Sequence, residues 1–206
     1  EWISDKTRFI WDGLRTQRLD RPYVRRNGKL AAASWAEAFA AVRDAVAKTR
    51  GERIGAIAGD LAAVEEIYAL RLLMQSLGSG NMDCRQDGAK LDPALGRASY
   101  IFNPTIEGIE QADAVLIIGA NPRFEASVLN ARIRKRWRMG NLPVGVIGDV
   151  GDVRYDYERL GGGAETLRQL VEGGISFLDT LKKAERPLII VGQGALARAD
   201  GAAVLA

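Results

Sequence analysis

The chain has 206 residues, of which 47% are hydrophobic, enough apolar content for a sizeable core in one domain or in two small lobes. It contains no His, which excludes a Ser-His-Asp triad or a His-based zinc site within it, and its lone Cys84 cannot form an internal disulfide. The formal net charge is only +3, no apolar stretch approaches the roughly 20 residues of a membrane span, and the N-terminal EWISDKTRFIWD lacks the pattern of a signal peptide, so the chain reads as soluble, cytosolic and without membrane insertion.

In chain order, Ser4 is placed to cap a short helix that Gly13 stops. Asn27-Gly28, between PYVRR and KLAA, predicts a tight hairpin. Ser34 caps a helix running to about Lys48, and Trp35, Ala38, Phe39, Val42 and Val46 give it one apolar stripe that is expected to lie on a sheet. A strand from Arg53 to Ala58, the helix AAVEEIYALRLLMQSLG and a short strand at NMDC read as a parallel crossover. A short helix then opens at Pro104, followed by a strand over 114–118, a helix from Pro122 to about Met139 and the strand PVGVIGDV. After the join Gly161-Gly162-Gly163 come helical AETLRQLVEG and ISFLDTLKKA, the strand PLIIVG and a helical start at Leu196. Strands bounded by Gly and Pro and interleaved with helices predict an α/β fold, a doubly wound and mostly parallel Rossmann-like sheet flanked by helices, with a small N-terminal hairpin. The expected organisation is an N-terminal helix and hairpin over 1–33, a first Rossmann-like lobe over 34–160, and over 161–206 the start of a second lobe cut short at its C-terminus.

In such folds ligands gather at the C-terminal ends of the strands, which directs attention to the corner Gly119-Ala120-Asn121-Pro122. Asn121 is a good helix cap, Pro122 suits the first helical position, Gly119 permits close backbone approach, and Arg123 adds a charge for a phosphate. Amides at this helix start are expected to point outward. The same residues are also ordinary turn and capping chemistry, with Glu125 satisfying the positive helix end. A second Gly-rich turn, Gly192-Gln193-Gly194 with Ala197, follows a strand directly but lacks the acidic residue that completes a dinucleotide fingerprint. Arg132, Arg134, Lys135, Arg136 and Arg138 crowd one helix on which Leu129, Ile133 and Trp137 form a core stripe, so the charges read as a solvated face. An acidic protein partner is the other reading; no nucleic-acid-binding motif accompanies the cluster, and no nucleic acid is expected.

EWISDKTRF, RLDRPYVR, ASWAEAF and ADAVLIIGANPRFEASVLNARIRK together resemble the molybdopterin-oxidoreductase-like region of the large peripheral-arm subunit of bacterial NADH-quinone oxidoreductases, the respiratory complex I family, over essentially the whole chain. The resemblance implies a subunit whose iron-sulfur clusters, in an N-terminal part upstream of Glu1, carry electrons from NADH toward quinone while this domain supports them from the side. It also implies other peripheral-arm subunits as partners and a place on the cytoplasmic face of the inner membrane. In similar molybdenum enzymes the Gly-x-Asn-Pro corner contacts the dinucleotide tail of the pterin cofactor, and Gly119, Asn121 and Pro122 match it. Their metal ligand is a Cys, selenocysteine or Ser in the loop after the strand corresponding to NMDC, whereas the loop here has no thiol or hydroxyl around Gly88, Ala89 and Lys90. Cys84 at the strand end is expected to pack as a small buried residue. The expectation is a scaffold domain, inactive alone, with no catalytic residue, no metal, no cofactor of its own and a vestigial phosphate-binding corner at Gly119, Asn121, Pro122 and Arg123. The alternatives are a cofactor-binding molybdopterin oxidoreductase fragment and a nucleotide-binding module.

Overall fold

A computed structural model describes residues 3–84 and 88–206, which fall into two compact units, Lys6–Gln86 and Asp87–Ala206 with Glu1–Asp5. The chain opens with α1 (Asp5–Phe9), continued by a 3-10 turn over Ile10–Leu14. β1 (Tyr23–Arg26) and β2 (Lys29–Ala32) form the expected antiparallel hairpin. Its corner needs two left-handed residues, and Asn27 (φ 49°) and Gly28 (φ 78°) supply them. α2 (Trp35–Ala47) starts in a complete capping box: Glu37 N–H donates to Ser34 Oγ and Ser34 N–H to Glu37 Oε2.

β3 (Ala56–Ile57), α3 (Val64–Ser76) and β4 (Met82–Asp83) make the expected parallel crossover, with Ala56 opposite Met82. β3 is shorter than the expected strand because Gly51–Arg53 coils into a 3-10 turn. Side chains extend the pairing instead, as Ser79 Oγ and Asn81 Nδ2 both donate to the Ile54 carbonyl. Strands of two residues offer α2 little surface to cover, so most of the stripe expected on a sheet is in solvent, with Trp35 66% and Phe39 65% exposed while Ala38 and Val46 are half-buried. The two rings lean on each other at 5.7 Å between centroids. Cys84, expected to be buried, is exposed, just past the end of β4 at Asp83.

The larger unit contains α4 (Thr105–Gly108), β5 (Ala114–Ile118), α5 (Pro122–Glu125), α6 (Ser127–Arg138), β6 (Val144–Ile147), β7 (Glu158–Gly161), α7 (Gly163–Val171), α8 (Phe177–Lys183), β8 (Pro187–Val191), α9 (Gln193–Leu196) and α10 (Gly201–Leu205). Its four strands are all parallel, in the order β7-β6-β5-β8. β5 and β6 are buried throughout, as apolar strands covered on both faces must be. Alternation splits β5 between two cores. Val115 and Ile117 pack with Ile133 of α6, while Leu116 and Ile118 pack with Leu170 of α7 and Phe177 of α8.

Three features depart from the sequence pattern. The helix expected from Pro122 to Met139 breaks at Ala126 (φ −146°, ψ 65°), a residue type that favours helix and carries no local signal for a break. β7 arises from ERLG, which has neither alternation nor an apolar run, and pairs through β6 alone. The link from β6 to β7, residues 148–157, has no helix, so its carbonyls must find side-chain donors.

Candidate functional site

The sheet order reverses at β5: the chain leaves it for β6 on one side and returns to it as β8 on the other. In an open α/β sheet such a reversal parts the flanking loops and leaves a crevice at the strand C-termini. The loops that meet there are the two Gly turns singled out in the sequence. Gly192 N–H donates to Ile118 O at 2.8 Å, and a Cβ on Gly192 would collide with the Gly119 carbonyl. Gly119 is left-handed (φ 56°), and a Cβ there would fall 2.8 Å from that of Ala195. The crevice encloses about 190 Å³, with Gly119, Gly148, Gly163, Gly194 and Arg198 among its walls. Gly148 and Arg198 were not read from the sequence. The Gly closing VIG at the end of β6 is a signal that could have found the first, and nothing local marks the second, which is held by Asp200 at 2.7 Å.

The expected corner is divided. Gly119 lines the crevice, whereas Asn121, Pro122 and Arg123 belong to the start of α5, where the Asn121 amide group and the Arg123 guanidinium reach across to the loop after β6. Asn121 caps α5 as expected, accepting from Phe124 N–H at 3.3 Å, and Pro122 is buried at the first helical position. Of the amides expected to point outward at this helix start, those of Asn121 and Phe124 are engaged within the chain. Asn121 N–H donates to Glu125 Oε1 at 2.5 Å, and Gly119 N–H continues the ladder to Ile147 O at 2.9 Å. Arg123 Nη1 donates to the Asp152 carbonyl at 2.7 Å and pairs with its carboxylate at 3.0 Å.

Those contacts belong to a wider clasp on the helix-free link. Asn121 Nδ2 donates to Val150 O at 2.9 Å, Asn130 Nδ2 to Val153 O at 3.1 Å and Arg134 Nε to Arg154 O at 3.2 Å. Tyr155, whose phenol burial pushes its pKa up, donates its hydroxyl to Asn130 Oδ1 at 2.9 Å. α5 and α6 thus supply the donors that a crossover helix would have made unnecessary.

Of the loop that the resemblance places at a metal, residues 85–87 lie outside the described residues. Beyond them Ala89 is buried and Lys90 N–H donates to Leu196 O at 2.9 Å, which ties the loop to α9. The amphipathic reading of α6 holds: Ile133 is fully buried, with Leu129 and Trp137 against the same core.

A reversed parallel sheet with a Gly-lined crevice is the architecture of ligand-binding α/β proteins in general. Residues 18–206 match the family described as Molybdopterin oxidoreductase, and the chain belongs to that family. Among curated relatives, it is 48% identical over 205 residues to the G subunit of the NADH-quinone oxidoreductase of Rickettsia conorii and 45% identical to its namesake from Rickettsia prowazekii, covering 100% of this chain and 30% of each relative. It is 43% identical over 207 residues to the mitochondrial NADH dehydrogenase [ubiquinone] iron-sulfur protein 1 of Solanum tuberosum, covering 28% of that protein. The chain therefore spans about 30% of the length of the relatives it matches.

Proposed function

We propose that this chain is the molybdopterin-oxidoreductase-fold portion of the iron-sulfur subunit of an NADH-quinone oxidoreductase and serves there as a non-catalytic scaffold. The clusters that carry electrons from NADH toward quinone belong to the rest of that subunit, which sits with other peripheral-arm subunits on the cytoplasmic face of the membrane. The names of the similar proteins support the assignment. Among the described residues, no helix is long and apolar enough to cross a membrane.

The observation that carries the scaffold reading is the self-satisfied corner. Phosphates of a pterin dinucleotide at this corner would compete with Asp152 for Arg123 and with Glu125 for the Asn121 amide, which supports a corner without the cofactor. The crevice beside it, about 190 Å³, is smaller than the roughly 300 Å³ at which small-molecule pockets begin. The test is to purify the whole subunit from cells that make the cofactor, then measure molybdenum and tungsten by elemental analysis, pterin by fluorescence, and iron and acid-labile sulfide. Iron and sulfide with only traces of the other three are expected. Near-stoichiometric molybdenum or tungsten with pterin would overturn the scaffold reading, and missing iron and sulfide would overturn the placement in an electron-carrying subunit.

The meeting of Gly119 and Gly192 at the sheet reversal favours a second reading, an ordinary nucleotide-binding module. A thermal-shift screen with nucleotides separates the two, since a scaffold shows no concentration-dependent rise in melting temperature.

A further inference from the structure

Apart from the crevice, a second concave surface lies along α6, a groove of about 590 Å³. Val128, Ala131 and Met139 give it apolar walls, and Met139 is 63% exposed. From Ala126 to Gly148 the chain carries Arg132, Arg134, Lys135, Arg136 and Arg138 and no Asp or Glu. Among the described residues the one carboxylate lining the groove is Glu110, which divides itself between Arg132 at 2.7 Å and Lys135 at 2.6 Å, and its side chain is only 19% exposed. Those two cations hold the Glu110 carboxyl below its usual range, Lys135 first. The Arg134 side chain meets only a neutral carbonyl, that of Arg154, and the Arg138 side chain has no hydrogen bond or ion pair among the described residues. The groove thus has more positive charge than the chain neutralises.

A merely solvated basic face needs neither concavity nor exposed apolar walls, and this surface has both. We propose that the α6 groove is a docking site for an acidic, amphipathic segment of another protein. An aliphatic side chain of that segment lies against Val128, Ala131 and Met139, and its carboxylates meet Arg134 and Arg138. Nucleic acid is the poorer match. Among the described residues the groove offers no aromatic platform and no amide side chain for bases, since Trp137 on the same helix turns to the core, and Glu110 stands in its wall. The site does not depend on whether the Gly119 corner holds a ligand.

The test uses the full-length subunit and a fluorescein-labelled helical peptide with Leu on one face and Glu on the other. The same peptide with Gln for Glu and a DNA duplex serve as comparisons. The Glu peptide is expected to bind, with affinity falling as salt rises. Arg138→Glu and Arg134→Glu should each weaken it by about tenfold or more, and the Gln peptide should bind weaker by a similar factor. Arg43→Glu, on α2, should leave it unchanged. Arg138→Glu removes no intramolecular partner, so an unchanged melting temperature makes its loss of binding readable even where Arg134→Glu disturbs the clasped link. The proposal fails if the Glu peptide does not bind, if Arg138→Glu binds it as wild type does, if Arg43→Glu weakens it equally, or if the duplex binds as tightly.

Discussion

α2 and α6 are helices of nearly equal length, each with an apolar stripe at helical spacing, and they meet opposite fates. The α6 stripe runs over β5 and β6, and its Ile133 has no exposed surface. The α2 stripe belongs to a unit whose parallel strands have two residues each, and Trp35, Phe39 and Val42 are all more than half exposed. In that unit only Ala58, Met74 and Ser79 are buried among the described residues. Amphipathicity therefore states what a helix can bury; a sheet wide enough to receive it decides whether it does.

The contrast can be broken or sharpened by experiment. Ile133→Ala opens a cavity between α6 and the sheet and should cost about 2–5 kcal/mol, read by denaturant unfolding and by lost amide-exchange protection in β5. Next in size is Asn130→Ala, which leaves the Val153 carbonyl and the Tyr155 hydroxyl without their buried partner; roughly 1–3 kcal/mol is expected, with exchange rising first in residues 150–155.

Acid should act more gently, and in both units. Asp113 is raised by burial but held low overall by the backbone amides of Glu185 and Arg186, and Glu37 is held low first by the Ser34 amide. A carboxyl whose pKa is depressed on folding adds stability that is present above the unfolded value, about 4, and is lost as pH falls through the lower folded value. Melting temperature should therefore drop in that window, and Asp113→Asn should flatten part of the drop; an unchanged slope in the variant would remove Asp113 from the account. The smallest effect belongs to Phe39→Ala, about 0.5 kcal/mol in this chain because the ring is already in solvent. Should Phe39→Ala in the full-length subunit cost as much as Ile133→Ala, the α2 stripe is covered there and the contrast belongs to this chain alone.

Much of the local structure was legible in the residues. Asn27-Gly28 named the hairpin, Ser34 with Glu37 the start of α2, the apolar run over 114–118 the strand β5, and Asn121-Pro122 the start of α5. ERLG was not legible as a strand, since its pairing depends on β6 and not on its own pattern, and Ala126 carried no sign of a helix break.

What the sequence determined by itself is the set of caps, turns and apolar periods, because each is an interaction between residues a few positions apart. Only the tertiary structure decided that Gly192 lies against Gly119, that Asp152 pairs with Arg123, and that Ile133 is buried while Phe39 is not. Those outcomes follow from strand order and from which layer covers which face, and such long-range pairings carry no local signature: the same Arg123 reads as a phosphate ligand or as a loop clasp until the partner across the fold is known.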